Sequence, residues 1–320
     1  MKLISFVIPC YRSGATLPGV IKEIKDTMKE MESYDYEIIM VNDCSPDNTF
    51  DVISSLCRGR GDETNCRNMM GINLARNFGQ HSALMAGFRY AKGDIVICLD
   101  DDGQTPACEV GKLIQGIEQG ADVVYARYDY KRHSLFRNFG SHINEIMTRI
   151  MLGKPKNLYI SSYFAARRFV IDEILRYSYA YPYVIGLVLR TTRNIINVDV
   201  HHRDRQAGSS GYTLGKLFAL WFNGFTAFSV KPLRIATVTG TVCAFLGFAY
   251  GIYTIIKKIF IQPPDLVIGF SALMSVTVFI GGVLMLMLGM VGEYLGRMYI
   301  SINNAPQYVI RETVGTDKEA

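Results

Sequence analysis

Three consecutive carboxylates, Asp100, Asp101 and Asp102, are followed by Gly103 and Gln104. Adjacent carboxylates repel one another unless a cation lies among them, and hard divalent ions take carboxylate oxygens while keeping positions open for substrate phosphates. If the segment runs extended, Asp100 and Asp102 point one way and Asp101 the other. The triplet therefore reads as a site where Mg²⁺ or Mn²⁺ meets a diphosphate. The plainer alternative is a solvated turn leading into a helix that opens near Pro106. Three more polar clusters stand at Pro9-Cys10-Tyr11-Arg12, at Asn42-Asp43-Cys44-Ser45 and from Ala75 to His81.

Something must bring these four stretches together. Each follows a short β-rich run: SFVIP, YEIIMV, GINL and DIVICL. Between the runs lie helical patterns. The first opens at Thr16 with Pro18 in its first turn and carries Leu17, Val20, Ile21, Ile24, Met28 and Met31 on one face. Others follow Asp47, run from Gly79 to Ala91, and start at Pro106 ahead of a fifth run, ADVVYA. Such alternation predicts an α/β domain with a mostly parallel sheet covered on both faces, and ligands in such sheets bind beyond the carboxyl ends of the strands. All four clusters fall on that rim. No Gly-x-Gly-x-x-Gly follows a strand. Gly215-Lys216 has Ser210 where a P-loop needs its first glycine and Leu217 where it needs Ser or Thr.

The C-terminal third is different. Ile235–Ile256 and Leu266–Gly292 hold 22 and 27 residues without Asp, Glu, Lys or Arg. As helices they reach roughly 33 and 40 Å, enough for a hydrocarbon core of about 30 Å. With Pro263 and Pro264 between them they predict a two-helix transmembrane hairpin over 235–292. Lys216, Lys231 and Arg234 before it and Arg297 and Arg311 after it, against Lys257 and Lys258 in the connection, place both flanks in the cytoplasm. Residues 1–212 then form a cytosolic domain and 293–320 a cytosolic end, with a loose polar tail from Thr313 to Ala320. Leu217, Trp221, Phe225 and Phe228 give 213–234 the pattern of an interfacial helix.

Composition agrees. Of 320 residues, 49% are hydrophobic and 20% charged, and the mean hydropathy is +0.14, too apolar for a disordered chain and more apolar than an ordinary soluble enzyme. The net charge of +5 is spread evenly and does not point to nucleic acid. Seven cysteines without a Cys-x-x-Cys pair argue against a disulfide framework and a zinc cluster, and for a reducing compartment. Leu3–Ile8 is too short for a signal peptide and reads as a first strand.

Together VIPCYR, VNDCSPDNT, ARNFGQHSALMAGF, LDDDGQTP, VHHRDRQAGSSGYT and GMVGEYLGRMY, in this order and followed over nearly the whole chain, resemble the family 2 glycosyltransferases that load a sugar onto a polyprenyl phosphate. That group includes dolichyl-phosphate mannose synthases, bactoprenol glucosyltransferases and undecaprenyl-phosphate aminoarabinose transferases. The resemblance implies a GT-A fold and an inverting, non-processive displacement at the cytoplasmic face of the inner membrane. The acceptor phosphate oxygen attacks the anomeric carbon of a nucleotide sugar, and nucleoside diphosphate leaves with Mg²⁺ or Mn²⁺ on its oxygens. It implies Asp102 as metal ligand with Asp100 and Gln104 beside it, and Pro9, Tyr11 and Asp43 around the nucleotide. For the acceptor phosphate it implies arginines near Arg127, Arg137, Arg203 and Arg205, whose guanidinium groups suit phosphate. A homo-tetramer is also implied.

The chain departs from the family pattern in places. Where relatives carry an Asp proposed as general base, Leu158, Ser161 and Ser162 stand, Phe164 replaces a nearby Arg, and Gly211 replaces a Lys. A phosphate monoester with a second pKa near about 6 is mostly dianionic at neutral pH and needs no base, so none is assigned. Adjacent His201 and His202 alternate across a strand and read as structural. Two alternatives remain. A processive polysaccharide synthase would need Gln-x-x-Arg-Trp, whereas the sole tryptophan, Trp221, lies in FALWFNG. An inactive membrane scaffold is opposed by the intact Asp100, Asp102 and Gln104.

Overall fold

A computed structural model describes residues 1–59, 68–128, 154–201, 270–302 and 305–315, with single positions between 238 and 260. It falls into two compact units, residues 1–213 with 304–320, and residues 214–303.

The first unit begins with the alternation the sequence predicts: β1 (Lys2–Cys10), α1 (Leu17–Lys29), β2 (Tyr34–Asn42), α2 (Thr49–Cys57), β3 (Met69–Leu74), α3 (Gln80–Tyr90) and β4 (Ile95–Cys98). A 3₁₀ turn (Ala107–Glu109), α4 (Val110–Glu118) and β5 (Val123–Tyr128) follow. Helix α1 starts where Pro18 can occupy the first turn without forfeiting a hydrogen bond, and it buries Leu17, Val20, Ile21, Ile24 and Met28. At about 1.5–3 kcal/mol for each fully buried apolar side chain, that stripe holds the helix against the sheet. Helix α3 lies closer still, because a Cβ on Gly87 would come within 2.4 Å of Val7 Cγ1. Only a glycine allows that approach. It lays the second half of α3 against Val7 of β1 and Val41 of β2.

After 129–153, which lie outside the described residues, come β6 (Phe164–Arg167), α5 (Arg168–Leu175), α6 (Val184–Thr191) and β7 (Ile195–Val200). The eight-stranded sheet has the order β7-β5-β6-β4-β1-β2-β3-β8, where β8 is Ile310–Gly315. Strands β4, β1, β2 and β3 are parallel, as are β5 and β7. The sheet is not parallel throughout. Strand β6 runs antiparallel between β4 and β5, and β8 runs antiparallel along β3. Four residues leading directly into a helix leave β6 no period to read in the sequence.

Strand β8 corrects the reading of Thr313–Ala320 as a loose tail. Thr313, Val314 and Gly315 pair with Ile72, Gly71 and Met70, and residues 316–320 lie outside the described set. Exposed polar side chains at Arg311, Glu312 and Thr313 conceal the strand, because an edge strand need bury little.

In the second unit α7 (Phe270–Ile302) runs ten residues beyond the expected end at Gly292. Within it Phe279–Gly296 has a mean hydropathy of 1.7, and among the described residues it is the one helix long and apolar enough to cross a membrane. Leu273, Phe279, Met285, Leu288 and Met298 are all exposed. The interfacial helix read over 213–234 lies outside the described residues, and the span read over 235–256 is described at single positions only.

Candidate functional site

The carboxyl ends of β1, β2, β3 and β4 carry the four polar clusters, and the structure joins them through specific contacts. Beyond β4 the chain does not stay extended. It turns at Asp101 and Asp102, with Gly103 at φ 75°, a region glycine enters without steric cost. Alternation of side chains therefore gives way to three separate settings, which corrects the expectation that Asp100 and Asp102 share a side through an extended backbone. Asp100 accepts from Ser162 Oγ, and its Oδ1 accepts from Gln80 Nε2 at 3.1 Å. Asp101 accepts from the Tyr11 backbone N–H at 3.0 Å, tying β4 to the end of β1. Asp102 accepts from the Gln104 backbone N–H at 3.0 Å, a local turn in which the side chain replaces a backbone carbonyl.

Burial pushes the Asp100 carboxyl up to about 6; donation by Ser162 opposes this, and the charges of Asp102 and Asp101 add to it. Burial also raises Asp101, against donation from the Tyr11 N–H. Such crowding of negative charge is what a cation relieves. Carboxylate oxygens of Asp100 and Asp102 and the amide oxygen of Gln104 form a hard donor set, and it fits Mg²⁺ or Mn²⁺. Among the described residues no three His, Cys, Asp or Glu side chains form a ready cage. An ion here would depend on substrate oxygens and water for the rest of its shell.

Pro9 stands opposite Val41, one residue before the end of β1. Beyond it Tyr11 is 45% exposed, with the Arg12 guanidinium 5.6 Å from its ring centroid, and its ring is available for a base to stack upon. Asp43 is buried, and its two oxygens accept from the backbone N–H groups of Phe78 at 2.7 Å and Gly79 at 2.8 Å. Burial raises its carboxyl and those two donors oppose the rise. Asp43 thus fixes the loop that enters α3. Arg12 and Cys44 lie at φ 58° and 49°, left-handed positions that non-glycine residues rarely occupy. Two such residues on one rim mark it as a shaped surface.

Arg127 lies at the far end of β5, where its Nε and Nη2 fork onto Asp199 at 2.6 and 2.9 Å. That pairing holds the Asp199 carboxyl below the usual carboxylate range. Arg137, Arg203 and Arg205 lie outside the described residues.

Several parts of the site are not evident from residue types and spacing. Gln80 and Ser162 hold Asp100, and Thr16 Oγ1 donates to the Asp101 carbonyl at 2.6 Å instead of capping α1. Ser162 stands out in the sequence only as a residue where a carboxylate is expected; its partner becomes readable with the placement of β6. His81 packs edge-on against Tyr183 with ring centroids 5.0 Å apart, and its Nδ1 is buried with no hydrogen-bond partner among the described residues. Burial lowers its pKa to about 4.

Comparison with known proteins sets this geometry in context. Residues 5–175 match the glycosyl transferase family 2, and residues 231–298 match the GtrB C-terminal hairpin. The chain is 32% identical to the undecaprenyl-phosphate 4-deoxy-4-formamido-L-arabinose transferase of Aeromonas hydrophila subsp. hydrophila, over 98% of this chain and 94% of that one. It is also 32% identical to the protein of the same name from Serratia proteamaculans, over 98% and 95%. Among solved structures, glucosyl-3-phosphoglycerate synthase from Mycobacterium tuberculosis in complex with uridine diphosphate aligns with a TM-score of 0.50 at 18% identity, over 71% of this chain and 79% of that one. At that identity the likeness concerns the fold, a GT-A fold.

Proposed function

The chain belongs to glycosyl transferase family 2, and from that premise we propose that it transfers a sugar from a nucleotide-sugar donor to an undecaprenyl-type polyprenyl phosphate, with inversion and once per acceptor, at the cytoplasmic face of the inner membrane. The observation that carries this reading is the rim of Tyr11, Asp43, Asp100, Asp102 and Gln104 in a chain that matches undecaprenyl-phosphate sugar transferases over 98% of its length. The GtrB C-terminal hairpin match and the apolar exposed surface of α7 support a membrane hairpin.

On this reading Tyr11 stacks on the base, and the loop held by Asp43 shapes the nucleotide pocket. Asp102, with Asp100 and Gln104, would hold Mg²⁺ or Mn²⁺, which when bound supplies Lewis-acid stabilisation of the leaving diphosphate. Ser162 and Gln80 fix the Asp100 carboxylate by donating to it. The acceptor brings its own anionic nucleophile, so the absence of a carboxylate at Leu158, Ser161 or Ser162 removes no proton-transfer step. Arg127, Arg137, Arg203 and Arg205 are proposed to receive the acceptor phosphate. For Arg127 this would require sharing or exchanging its fork with Asp199.

The test is transfer of radiolabel from a panel of nucleotide sugars to undecaprenyl phosphate, using membranes that carry the chain, with Mg²⁺ or Mn²⁺. One donor should label lipid, and Asp102→Asn should reduce that rate by about two orders of magnitude or more without loss of folded protein. Absence of transfer from every donor would favour an inactive scaffold. Repeated addition to one lipid would favour a processive synthase. Light scattering of the detergent-purified protein checks the proposed homo-tetramer.

A further inference from the structure

Strand β8 starts beside the rim and runs away from it, with Ile310 opposite Leu74 and Gly315 opposite Met70. Register places Cys10, Asn42, Asn73 and Glu312 directly opposite one another across β1, β2, β3 and β8, so the four share one face at the carboxyl ends of the parallel strands. Three of them form an unbroken chain. Asn73 Nδ2 donates to Glu312 Oε1 at 2.9 Å, Asn42 Nδ2 donates to Asn73 Oδ1 at 2.9 Å, and Asn42 Oδ1 accepts from the Ser45 backbone N–H at 3.3 Å. Ser45 Oγ in turn accepts from the Arg12 backbone N–H at 2.8 Å. Asn42 and Asn73 are buried, only 2% and 8% exposed.

Buried amides need every partner they have, because an unmatched donor there costs more than the bond itself is worth. With Glu312 absent, Asn73 Nδ2 loses its acceptor, and a rotation that recovers one would turn the wrong atom toward Asn42. The disturbance ends at Arg12 and Cys44, the two rim residues held at positive φ, where the backbone relaxes once its support is withdrawn. A second set of contacts runs in parallel: Ala75 N–H donates to the Val309 carbonyl at 2.8 Å, just before the loop whose Phe78 and Gly79 amides hold Asp43.

We propose that Glu312 is a positioning residue for the donor nucleotide: through Asn73 and Asn42 it sets the Asp43–Ser45 rim. This rests on the reading that the nucleotide binds there. Glu312 itself touches no substrate.

The test compares Glu312→Ala with Glu312→Gln in the full chain, since glutamine keeps an oxygen that accepts from Asn73. The nucleotide sugar is the one that the wild-type chain uses in the donor panel. Glu312→Ala should raise its KM about five- to tenfold, with kcat and the KM for undecaprenyl phosphate within about twofold. It should also speed amide hydrogen exchange in the 42–47 segment. Glu312→Gln should stay near wild type on both measures. The proposal is overturned if Glu312→Ala leaves donor KM and exchange unchanged, if kcat alone falls, or if Glu312→Gln is as defective as Glu312→Ala. A wild-type chain inactive with all donors would instead sink the transferase reading, and the exchange comparison would then decide the role of Glu312 by itself.

Discussion

At the scale of residues, burial and then the charges of Asp102 and Asp101 push the Asp100 carboxyl up, and Ser162 and Gln80 orient it. Groups that orient a metal-binding carboxylate typically matter by about ten- to a hundredfold in affinity or rate. Ser162→Ala should therefore lower turnover within that range and raise the Mn²⁺ concentration needed for half-maximal rate, while Ser162→Thr retains most activity. Rates titrated against Mn²⁺ check this, and an unchanged metal requirement would separate Ser162 from the site. His81 makes a different prediction. Its folded-state pKa, about 4, lies below the ordinary 6.5, so the unfolded chain binds its proton first as the solution is acidified. Stability tied to neutral His81 is present above about pH 6.5 and is lost as pH falls towards about 4, by no more than about 3.5 kcal/mol. Unfolding midpoints across that window should fall less steeply for His81→Gln than for the wild type. Parallel profiles would mean that the imidazole is not excluded from water in solution.

At the scale of elements, the informative piece is β8. An exposed β3 would offer a row of unpaired backbone groups to another chain, and β8 covers them. Its last residue allows no side chain: Gly315 lies at φ 100°, and a Cβ there would come within 2.1 Å of the Met69 carbonyl oxygen. Gly315→Ala should lower the stability of the catalytic unit by about 1–3 kcal/mol through the positive φ and the clash together. Thermal unfolding of the purified chain measures it. A wild-type midpoint would show that the end of β8 is dispensable. Helix α1, by contrast, is legible in the sequence because its apolar face repeats at the helical period, whereas α3 buries every residue from Ser82 to Phe88 and shows no such face. Strand β6 is not legible either, since its four residues gain their identity from β4 and β5 on either side.

For the whole molecule, the two units differ in where their apolar residues lie. The first packs its apolar residues between sheet and helices, whereas α7 leaves Met285 and Leu288 exposed at 78% and 69%. Apolar surface on that scale is stable only when covered, and lipid is the cover that the hairpin match and the hydropathy of Phe279–Gly296 support. The chain should remain in the membrane pellet through alkaline carbonate extraction and be released by detergent. Release by carbonate alone would place it at the surface of the bilayer.

Local periodicity and side-chain types in fixed order are enough to specify the strand–helix alternation, the acidic rim, the apolar C-terminal third and the family. Asp102 and Tyr11 can be singled out in this way. Other facts needed the folded sheet: what Asp100 and Asp43 hold on to, how Glu312 comes to lie in a row with residues more than two hundred positions earlier, and that the segment from Ile310 to Gly315 is a strand. The last two arise from the register between strands, and the first from loops that the folded sheet brings together. Register is set by the sum of packing over the whole sheet, and no short stretch of residues encodes it.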